Sequence, residues 1–278
     1  MKGFIFLLLT TMSLSGLSQT VTVMSYNIRL DTKADGVNQW GNRIEKVSDL
    51  IKKHNPDLLG VQEALHNQML DLQKHLPNYQ FVGVARDDGK EKGEYSAIFY
   101  KKDKFDVLKQ NTFWLSESPT VPGSKSWDAA ITRVVTFSVL KEKSSGKSFI
   151  YANTHFDHMG EEARKNSANA IKQLLLDFMK GYKEIPALVS GDFNSEPTDE
   201  PYLNMINGKK IVLADARPAT DLTGTFCGFE VDKIACRTID YIFHSAQWKA
   251  SHYKVIQDHD GKFYPSDHLP VMATFTQK

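Results

Sequence analysis

Apolar and polar positions repeat along the chain with two different periods, which predict both strands and helices. Short β-branched and apolar runs predict strands at 20–28, 57–62, 79–84, 95–100, 105–108, 112–115, 130–140, 148–154, 185–189, 211–213, 238–243, 251–257 and 271–276. Apolar residues at helical spacing predict helices at 43–54, 65–76 and 161–180, with a short helix near 201–207. No internal repeat or linker interrupts this order, so we expect one domain over residues 19–278.

The first eighteen residues differ from the rest of the chain. Lys2 precedes an apolar run from Phe4 to Leu9, and Gly16 and Ser18 place small residues before a cut at Gln19. This pattern is typical of a secretory signal peptide. A transmembrane anchor is the alternative, but the apolar core is well short of the ~20 residues that a membrane span needs. We therefore expect residues 1–18 to be removed and the mature protein to be periplasmic or secreted.

The charge balance limits the substrates that the protein can bind. The chain has 34 Lys and Arg against 33 Asp and Glu, and loss of residues 1–18 would remove only Lys2. The mature chain is then formally neutral, whereas proteins that bind long duplex DNA usually carry a marked basic excess. This balance favours a small or locally bound substrate, and it leaves a local basic groove open.

Cys227 and Cys236 are the two cysteines of the chain. In an oxidising compartment, a disulfide that closes the loop between them is the natural expectation. Two buried free thiols are the alternative.

Polar side chains with catalytic chemistry recur where the apolar strands end. They are Asn27, Glu63, His155, Asp192, Asn194, Asp240, Asp267 and His268. Because residues i and i+2 of an extended chain point to the same side, Asp192 and Asn194 are expected to project together. The same Gly-Asp-Phe-Asn segment also fits an Asx turn after a strand. Independent local reasons for a polar residue at so many strand ends are harder to accept than one site at which these strands converge.

The residue types at these strand ends suit metal-dependent phosphoryl hydrolysis. Mg²⁺ prefers oxygen ligands, usually one or two carboxylates with retained waters, and Glu63, Asp267 and the Asn27 amide could supply them. Asp240 and His268 suit an acid–imidazole pair in which the carboxylate orients the ring.

Two other chemistries have less support in the sequence. No serine lies in a Gly-x-Ser-x-Gly elbow and neither cysteine resembles a nucleophile, so covalent catalysis is not indicated. His155 and His158 could form a zinc pair, but they fit better as the end of a strand and the loop that follows.

Six segments occur in the order of known family motifs. They are Ser25-Tyr26-Asn27-Ile28, Gln62-Glu63, Asn153-Thr154-His155, Gly191-Asp192-Phe193-Asn194, Ile239-Asp240-Tyr241 and Ser266-Asp267-His268. They resemble the motifs of the endonuclease/exonuclease/phosphatase superfamily, which has the fold of deoxyribonuclease I and exonuclease III. The resemblance spans the chain from Thr20 to its end. It implies an α/β fold, a four-layer α/β/β/α sandwich of two mixed sheets, with the site where one edge of both sheets meets.

The resemblance also implies roles for the matching residues. Glu63 would hold an essential Mg²⁺, for which Mn²⁺ could substitute, with Asn27 and Asp267 close by. Asp192 and Asn194 would orient the attacking water and the phosphate.

Further roles concern the proton transfers and the charge on the phosphate. His268, paired with Asp240, would act as general base or stabilise the pentacovalent phosphate, and the general-base role stays open between it and the aspartate of Gly-Asp-Phe-Asn. His155 would contact a phosphate oxygen or help protonate the leaving group. Glu94 resembles the glutamate that pairs with that histidine in deoxyribonuclease I. Arg133 resembles the superfamily's phosphate-contacting arginine, a cation suited to neutralise developing charge.

The sequence around these motifs indicates a branch and a function. Gly-Asp-Phe-Asn-Ser-Glu-Pro, together with the segment 94–100, resembles the deadenylase and nocturnin-like branch and its exported bacterial relatives. This implies an exported, monomeric phosphodiesterase without stable membrane insertion, acting on nucleic acid ends (as a 3'-5' exonuclease) or on nucleotide-like substrates. A sphingomyelinase-type phospholipid phosphodiesterase is one alternative, because Phe113-Trp114-Leu115 could form an exposed apolar wedge, although these residues fit better as core or pocket wall. A catalytically dead binding module is the other, and the complete set of site residues speaks against it.

Overall fold

The computed structural model describes residues 19–208, 210–231 and 235–278. The signal peptide expected over residues 1–18 lies outside the described residues. The described strands are β1 Thr20–Asn27, β2 Leu58–Ala64, β3 Tyr79–Val82, β4 Tyr95–Lys101, β5 Phe105–Trp114, β6 Val134–Glu142, β7 Ser148–His155, β8 Ala187–Asp192, β9 Leu213–Asp215, β10 Asp240–Ser245, β11 Trp248–Val255 and β12 Val271–Gln277. The α-helices are α1 Ile44–His54, α2 His66–His75, α3 Glu161–Met179 and α4 Glu200–Ile206.

The strands form two mixed six-stranded sheets. Their orders are β11-β12-β1-β2-β4-β3 and β5-β6-β7-β8-β10-β9. Each sheet contains one parallel pair, β1 with β2 and β7 with β8, and the other pairs are antiparallel. Apolar residues from the inner faces of both sheets, such as Val23 and Tyr151, pack together in the centre. The apolar faces of α1 and α2 cover the outside of the first sheet, and α3 and α4 cover the second. The four-layer α/β/β/α sandwich is therefore confirmed.

The structure corrects three of the expected strands. The runs at 105–108 and 112–115 belong to one strand, β5, because the polar residues between them, Lys109, Gln110 and Asn111, pair with β6 after a register shift between Val107 and Lys109. Strand β6 begins at Val134 rather than at residue 130. The cause is Asp157, whose carboxylate accepts a hydrogen bond from the Ile131 backbone N–H at 3.2 Å and holds this segment outside the ladder.

The segment Phe113-Trp114-Leu115 belongs to the core. Trp114 and Leu115 are buried. The Phe113 ring packs against Phe137 and Phe178, with centroids 6.1 and 5.8 Å away. These contacts remove the apolar wedge that favoured the sphingomyelinase alternative. Among the helices of the described ranges, none combines the length and the apolar character that crossing a bilayer requires.

Cys227 and Cys236 form a disulfide. The alternative of two free thiols is wrong. Cys227 follows Phe226 and Cys236 precedes Arg237, and Phe226 and Arg237 pair across an isolated β-bridge. The disulfide therefore closes a loop at the edge of the sandwich where the strands converge.

Candidate active site

Polar residues at the ends of the two parallel strand pairs meet at one edge of the sandwich. In the first sheet, the parallel pairing of β1 and β2 brings Asn27 beside Glu63. In the second sheet, β7 and β8 end at His155 and Asp192, which pair directly. Asp240, the first residue of β10, pairs with Asp192 from the other side. Each residue is thus held by a strand end, which limits its movement relative to the others.

This edge encloses a cavity of about 370 Å³. The expected site residues that line it are Glu63, Glu94, Arg133, His155, Asp192, Asn194, Asp267 and His268. The remaining two, Asn27 and Asp240, are buried behind the lining and hydrogen-bond to it. The structure therefore brings all ten expected site residues into one constellation. The cavity is also lined by residues to which the sequence analysis assigned no role in the site: Arg29, Leu30, Ile131, His158, Phe226, Arg237 and Ile239.

Asn27 connects carboxylates from the two sheets. Its Nδ2 donates to Glu63 Oε1 and to Asp192 Oδ2, both at 3.0 Å. Its Oδ1 accepts from the Arg29 backbone N–H at 3.0 Å. Because the amide nitrogen faces the carboxylates and the oxygen is engaged, this geometry suits Asn27 to orienting Glu63 and Asp192 more than to ligating a metal.

Glu63 enters the cavity through an irregularity in β2. The register between β2 and β4 shifts between Val61 and Ala64, and Glu63 has a left-handed φ of 64°. The side chain of Asn153, from the opposite sheet, donates from Nδ2 to the carbonyls of Val61 and Ala97 at 2.9 and 2.8 Å. Asn153 therefore satisfies backbone groups beside the irregularity that turns Glu63 out of the ladder.

Replacing Asn153 by aspartate is expected to weaken metal binding about 10–100-fold, as loss of a supporting residue around a metal site typically does. A carboxylate cannot donate to the two carbonyls, so unfolding free energy should also fall by about 3 kcal/mol. Calorimetric titration with Mn²⁺ and urea denaturation measure these effects. The control is Thr136→Val, which breaks a buried 3.0 Å contact between the hydroxyls of Thr136 in β6 and Thr112 in β5. If both variants bind Mn²⁺ equally well, Asn153 does not position Glu63.

Glu63 and Asp267 form the best donor set for a hard divalent cation. Both carboxylates lie 3.9 Å from Arg29 Nη1, and both are mostly shielded from solvent. Burial, with a contribution from Glu63, raises the pKa of Asp267. Two carboxylates that face one cationic group fit Mg²⁺, which prefers carboxylate oxygens. Arg29 itself is held by a bidentate contact with Asp35, at 3.0 and 2.9 Å.

Two further clusters in the described ranges could hold a metal. The first is Glu63 with His155 and Asp192, and the second is Asp192 with Asp240 and His268. In each cluster, one ligand atom from every residue lies within 4.8 Å of the others. In the second cluster, a hydrogen bond joins His268 to Asp240, whereas Asp192 lies at ion-pair distance from His268. His158 belongs to neither cluster, and its Nδ1 instead lies 3.1 Å from Arg133 Nη2.

His268 lies between two carboxylates. Its Nδ1 is 2.9 Å from Asp240 Oδ2, and its Nε2 is 3.7 Å from Asp192 Oδ2. Burial lowers the pKa of His268, but the charges of Asp240 and Asp192 outweigh burial and raise this pKa to about 10. Burial also raises the pKa of Asp192 to about 7, against the opposing charge of His268. The imidazole is therefore held protonated at neutral pH.

His155 and Glu94 lie close together without a hydrogen bond. His155 Nδ1 is 4.0 Å from Glu94 Oε2, because that oxygen accepts from Arg86 Nη1 at 2.6 Å. On its other side, His155 Nε2 lies 3.1 Å from Asn194 Nδ2 and 3.3 Å from Asp192 Oδ2. Burial, followed by the charge of neighbouring arginines, lowers the pKa of His155 well below its usual value. The ring is therefore neutral, and its Nδ1 bonds to no other residue of the described part of the chain.

Arg133 presents an unsatisfied cation to the cavity. Its side chain is 4% exposed, with Nε 3.7 Å from Asp157 Oδ2. Neither Nε nor Nη1 has a hydrogen-bond partner among residues 19–208, 210–231 and 235–278. A buried guanidinium with free N–H groups is costly unless a ligand accepts from them, and an anion is the matching ligand.

The Gly-Asp-Phe-Asn segment is both a turn and part of the site. The Asn194 backbone N–H donates to Asp192 Oδ1 at 2.9 Å, which forms the Asx turn, and Asn194 has a left-handed φ of 46°. The expectation of an extended chain at this point was therefore wrong. The turn nevertheless leaves Asp192 Oδ2 facing the cavity and Asn194 Nδ2 beside His155. A Cβ at Gly191 would lie 2.3 Å from the Thr154 carbonyl oxygen, so only glycine allows β7 and β8 to approach so closely.

Comparison with known proteins agrees with this geometry. An endonuclease/exonuclease/phosphatase family protein from Bacteroides thetaiotaomicron has a structure with a TM-score of 0.90 and 36% identity, over 95% of this chain and 97% of that one. The structure of a mannosyl-6-phosphatase from the same organism has a TM-score of 0.86 and 36% identity, over 92% and 99% of the two chains. Human nocturnin is 25% identical over 92% of this chain, which spans 65% of nocturnin's length. The model of the Endonuclease/Exonuclease/phosphatase family matches residues 24–268. The chain belongs to the Endonuclease/Exonuclease/phosphatase family.

Proposed function

We propose that the protein is an exported, Mg²⁺-dependent phosphoesterase that acts as a monomer on small organic phosphates. The observation that carries this proposal is the cavity itself, in which a metal-suited carboxylate pair and a buried arginine with free N–H groups face the same space. Its volume of about 370 Å³ lies within the range of small-molecule sites. The disulfide supports export, because disulfides persist in oxidising compartments.

Glu63 and Asp267 would hold the metal, which when bound supplies a Lewis acid beside the phosphate oxygens. Arg133 donates to the phosphate and neutralises the charge that develops in the transition state. Asn194 and the neutral His155 fix the phosphate by hydrogen bonds. His268 is protonated between two carboxylates and cannot accept the proton of the attacking water, so Asp192 takes that role.

A phosphate monoester of a sugar is the leading substrate class. The mannosyl-6-phosphatase relative, similar along nearly the whole length of both chains, supports it. The formally neutral mature chain also favours a small ester over a long nucleic acid. The phosphodiester end expected from the sequence is the second candidate, which the similarity to human nocturnin and to a fungal exoribonuclease subunit, at 25% identity each, favours.

A substrate panel separates these candidates. Purified protein lacking residues 1–18 would be assayed with Mg²⁺ against hexose 6-phosphates, nucleoside monophosphates, single-stranded RNA and bis-p-nitrophenyl phosphate. We expect the highest kcat/KM with a hexose 6-phosphate. A higher value with RNA or with the diester would establish the second candidate, and no hydrolysis with either Mg²⁺ or Mn²⁺ would revive the binding module.

A further inference from the structure

We propose that Phe226, Arg237 and Glu196 form a subsite for a leaving group that carries vicinal hydroxyls on a ring, and that the Cys227–Cys236 disulfide holds this subsite in place. The proposal rests on the proposed phosphoesterase function and names the part of the substrate that lies beyond the phosphate. Hexose phosphates and ribonucleotides both offer such a diol. The three residues lie outside the set that binds metal and phosphate.

Backbone hydrogen bonds connect Phe226 and Arg237 to the segment that carries Asp267 and His268. Phe226 forms one isolated bridge with Arg237 and another with His268. The Phe226 N–H donates to the Arg237 carbonyl at 2.9 Å, and the Arg237 N–H donates back to the Phe226 carbonyl at 3.0 Å. On the other side, the Cys227 N–H donates to the Asp267 carbonyl at 3.1 Å. Residues paired across antiparallel strands point to the same face, so Arg237, Phe226 and His268 present their side chains in a row.

This row faces the cavity. All three residues line it, and the ring of Phe226 lies 4.8 Å from the imidazole of His268, measured between centroids. The aromatic ring is thus next to His268, where it can contact the ring of a leaving alcohol. An apolar platform beside a polar phosphate site suits a sugar ring, which has an apolar C–H face and a polar hydroxyl edge.

Arg237 and Glu196 supply the polar edge of the subsite. Arg237 Nε donates to Glu196 Oε1 at 2.7 Å. Within the described ranges, neither Nη group of Arg237 has another hydrogen-bond partner, and neither does Glu196 Oε2. Free donors next to a free acceptor match vicinal hydroxyls, each of which both donates and accepts. The two side chains are 54% and 45% exposed, and their contact keeps the free donors beside the free acceptor.

The disulfide restrains the positions of Phe226 and Arg237. Cys227 and Cys236 are the next pair along from Phe226 and Arg237, so their covalent bond limits how far these two side chains can separate. Gly224 packs directly on Cys236, since a Cβ at this glycine would lie 2.3 Å from the Cys236 Cβ. Opening the disulfide is therefore expected to loosen the subsite while the metal and phosphate residues, held by strand ends, stay in place.

The experiment compares two substrates in each variant. The ratio of kcat/KM for a hexose 6-phosphate to kcat/KM for p-nitrophenyl phosphate, whose leaving group has no vicinal hydroxyls, isolates the subsite. In Arg237→Gln and Glu196→Gln this ratio should fall about tenfold, mainly through a higher KM for the sugar phosphate. The Cys227→Ser/Cys236→Ser double variant should lower it in the same direction. Lys165→Gln, which breaks an exposed ion pair with Glu200 of 3.0 Å, is the matched control and should leave the ratio unchanged.

An unchanged ratio in Arg237→Gln and Glu196→Gln would overturn the subsite even if the enzyme is active. Repeating the assay with a nucleoside 5'-monophosphate and its 2'-deoxy analogue shows whether the diol belongs to a hexose or to a ribose. If no phosphate ester is hydrolysed, the proposed function fails separately. Calorimetric titration with the hexose 6-phosphate then tests the subsite independently of hydrolysis. A tenfold higher Kd in Arg237→Gln is the expected result, and an unchanged Kd would contradict the subsite.

Discussion

Replacing Glu63 by glutamine is expected to lower kcat for phosphate release by at least about a thousandfold. Glutamine keeps the size of the side chain and can still contact Asn27, but it removes the charge that a divalent cation requires. Metal binding should weaken accordingly, because only Asp267 would remain of the carboxylate pair that faces Arg29. Phosphate release and Mn²⁺ titration of the same preparation measure both effects.

The fold should survive this substitution. Glu63 lies in a backbone irregularity that Asn153 supports through main-chain carbonyls, and these contacts do not involve the Glu63 side chain. Thermal denaturation followed by circular dichroism is expected to give a similar Tm. Glu45→Gln, at an exposed position in the first turn of α1, is the control and should retain full activity. Wild-type activity in the Glu63 variant would rule out this glutamate as the metal ligand.

Replacing Asp240 by asparagine is expected to lower kcat by about 10²–10⁴-fold and to change how stability depends on pH. The Asp240 carboxylate is 2.9 Å from His268 Nδ1 and helps to keep the ring protonated. Asparagine can hold the ring by a hydrogen bond but removes the charge. The variant therefore loses much of the imidazolium that would stabilise the charged phosphate.

The pH dependence follows from the raised pKa of His268, about 10 in the folded protein against about 6.5 for an unfolded chain. A raised pKa contributes stability that is complete below pH ~6.5 and is lost as the pH rises towards 10. The unfolding free energy of wild type should thus exceed that of Asp240→Asn by a few kcal/mol at pH 6, and the difference should shrink by pH 10. Urea denaturation in a chelator measures it. His54→Asn, at a partly exposed His–Asp pair of 2.9 Å, should show a much smaller effect. A pH-independent difference would mean that His268 is not held as a cation.

The strand ends that carry the site could be predicted from sequence because each combines a buried apolar run with a polar residue at its end. Asn27, Glu63, His155 and Asp192 all lie where this pattern places them, and their convergence follows from the two parallel strand pairs. The turn at Asn194 could not be separated from an extended chain, because the same residues favour both conformations. Which of the two forms depends on the Asp192 carboxylate, whose hydrogen bond is made in the folded site.

Other site residues could not be predicted because tertiary contacts alone give them a role. Asn153 lies inside a recognised motif, but its side chain acts across the interface between the sheets on carbonyls of β2 and β4. Arg29 follows Asn27 by two residues, yet only the folded chain shows that its guanidinium faces two carboxylates. Phe226 and Arg237 flank the cysteines in a long predicted loop, and the β-bridges that bring them to the cavity have no periodic signal.

The most direct test of the proposed function is phosphate release from a hexose 6-phosphate by the protein without residues 1–18. The assay would be run with Mg²⁺, with a chelator, and with the Glu63→Gln variant. Steady release that requires Mg²⁺ and disappears in the variant is the predicted result. Release that persists in the chelator, or that is equal in the variant, would contradict a metal-dependent site at Glu63.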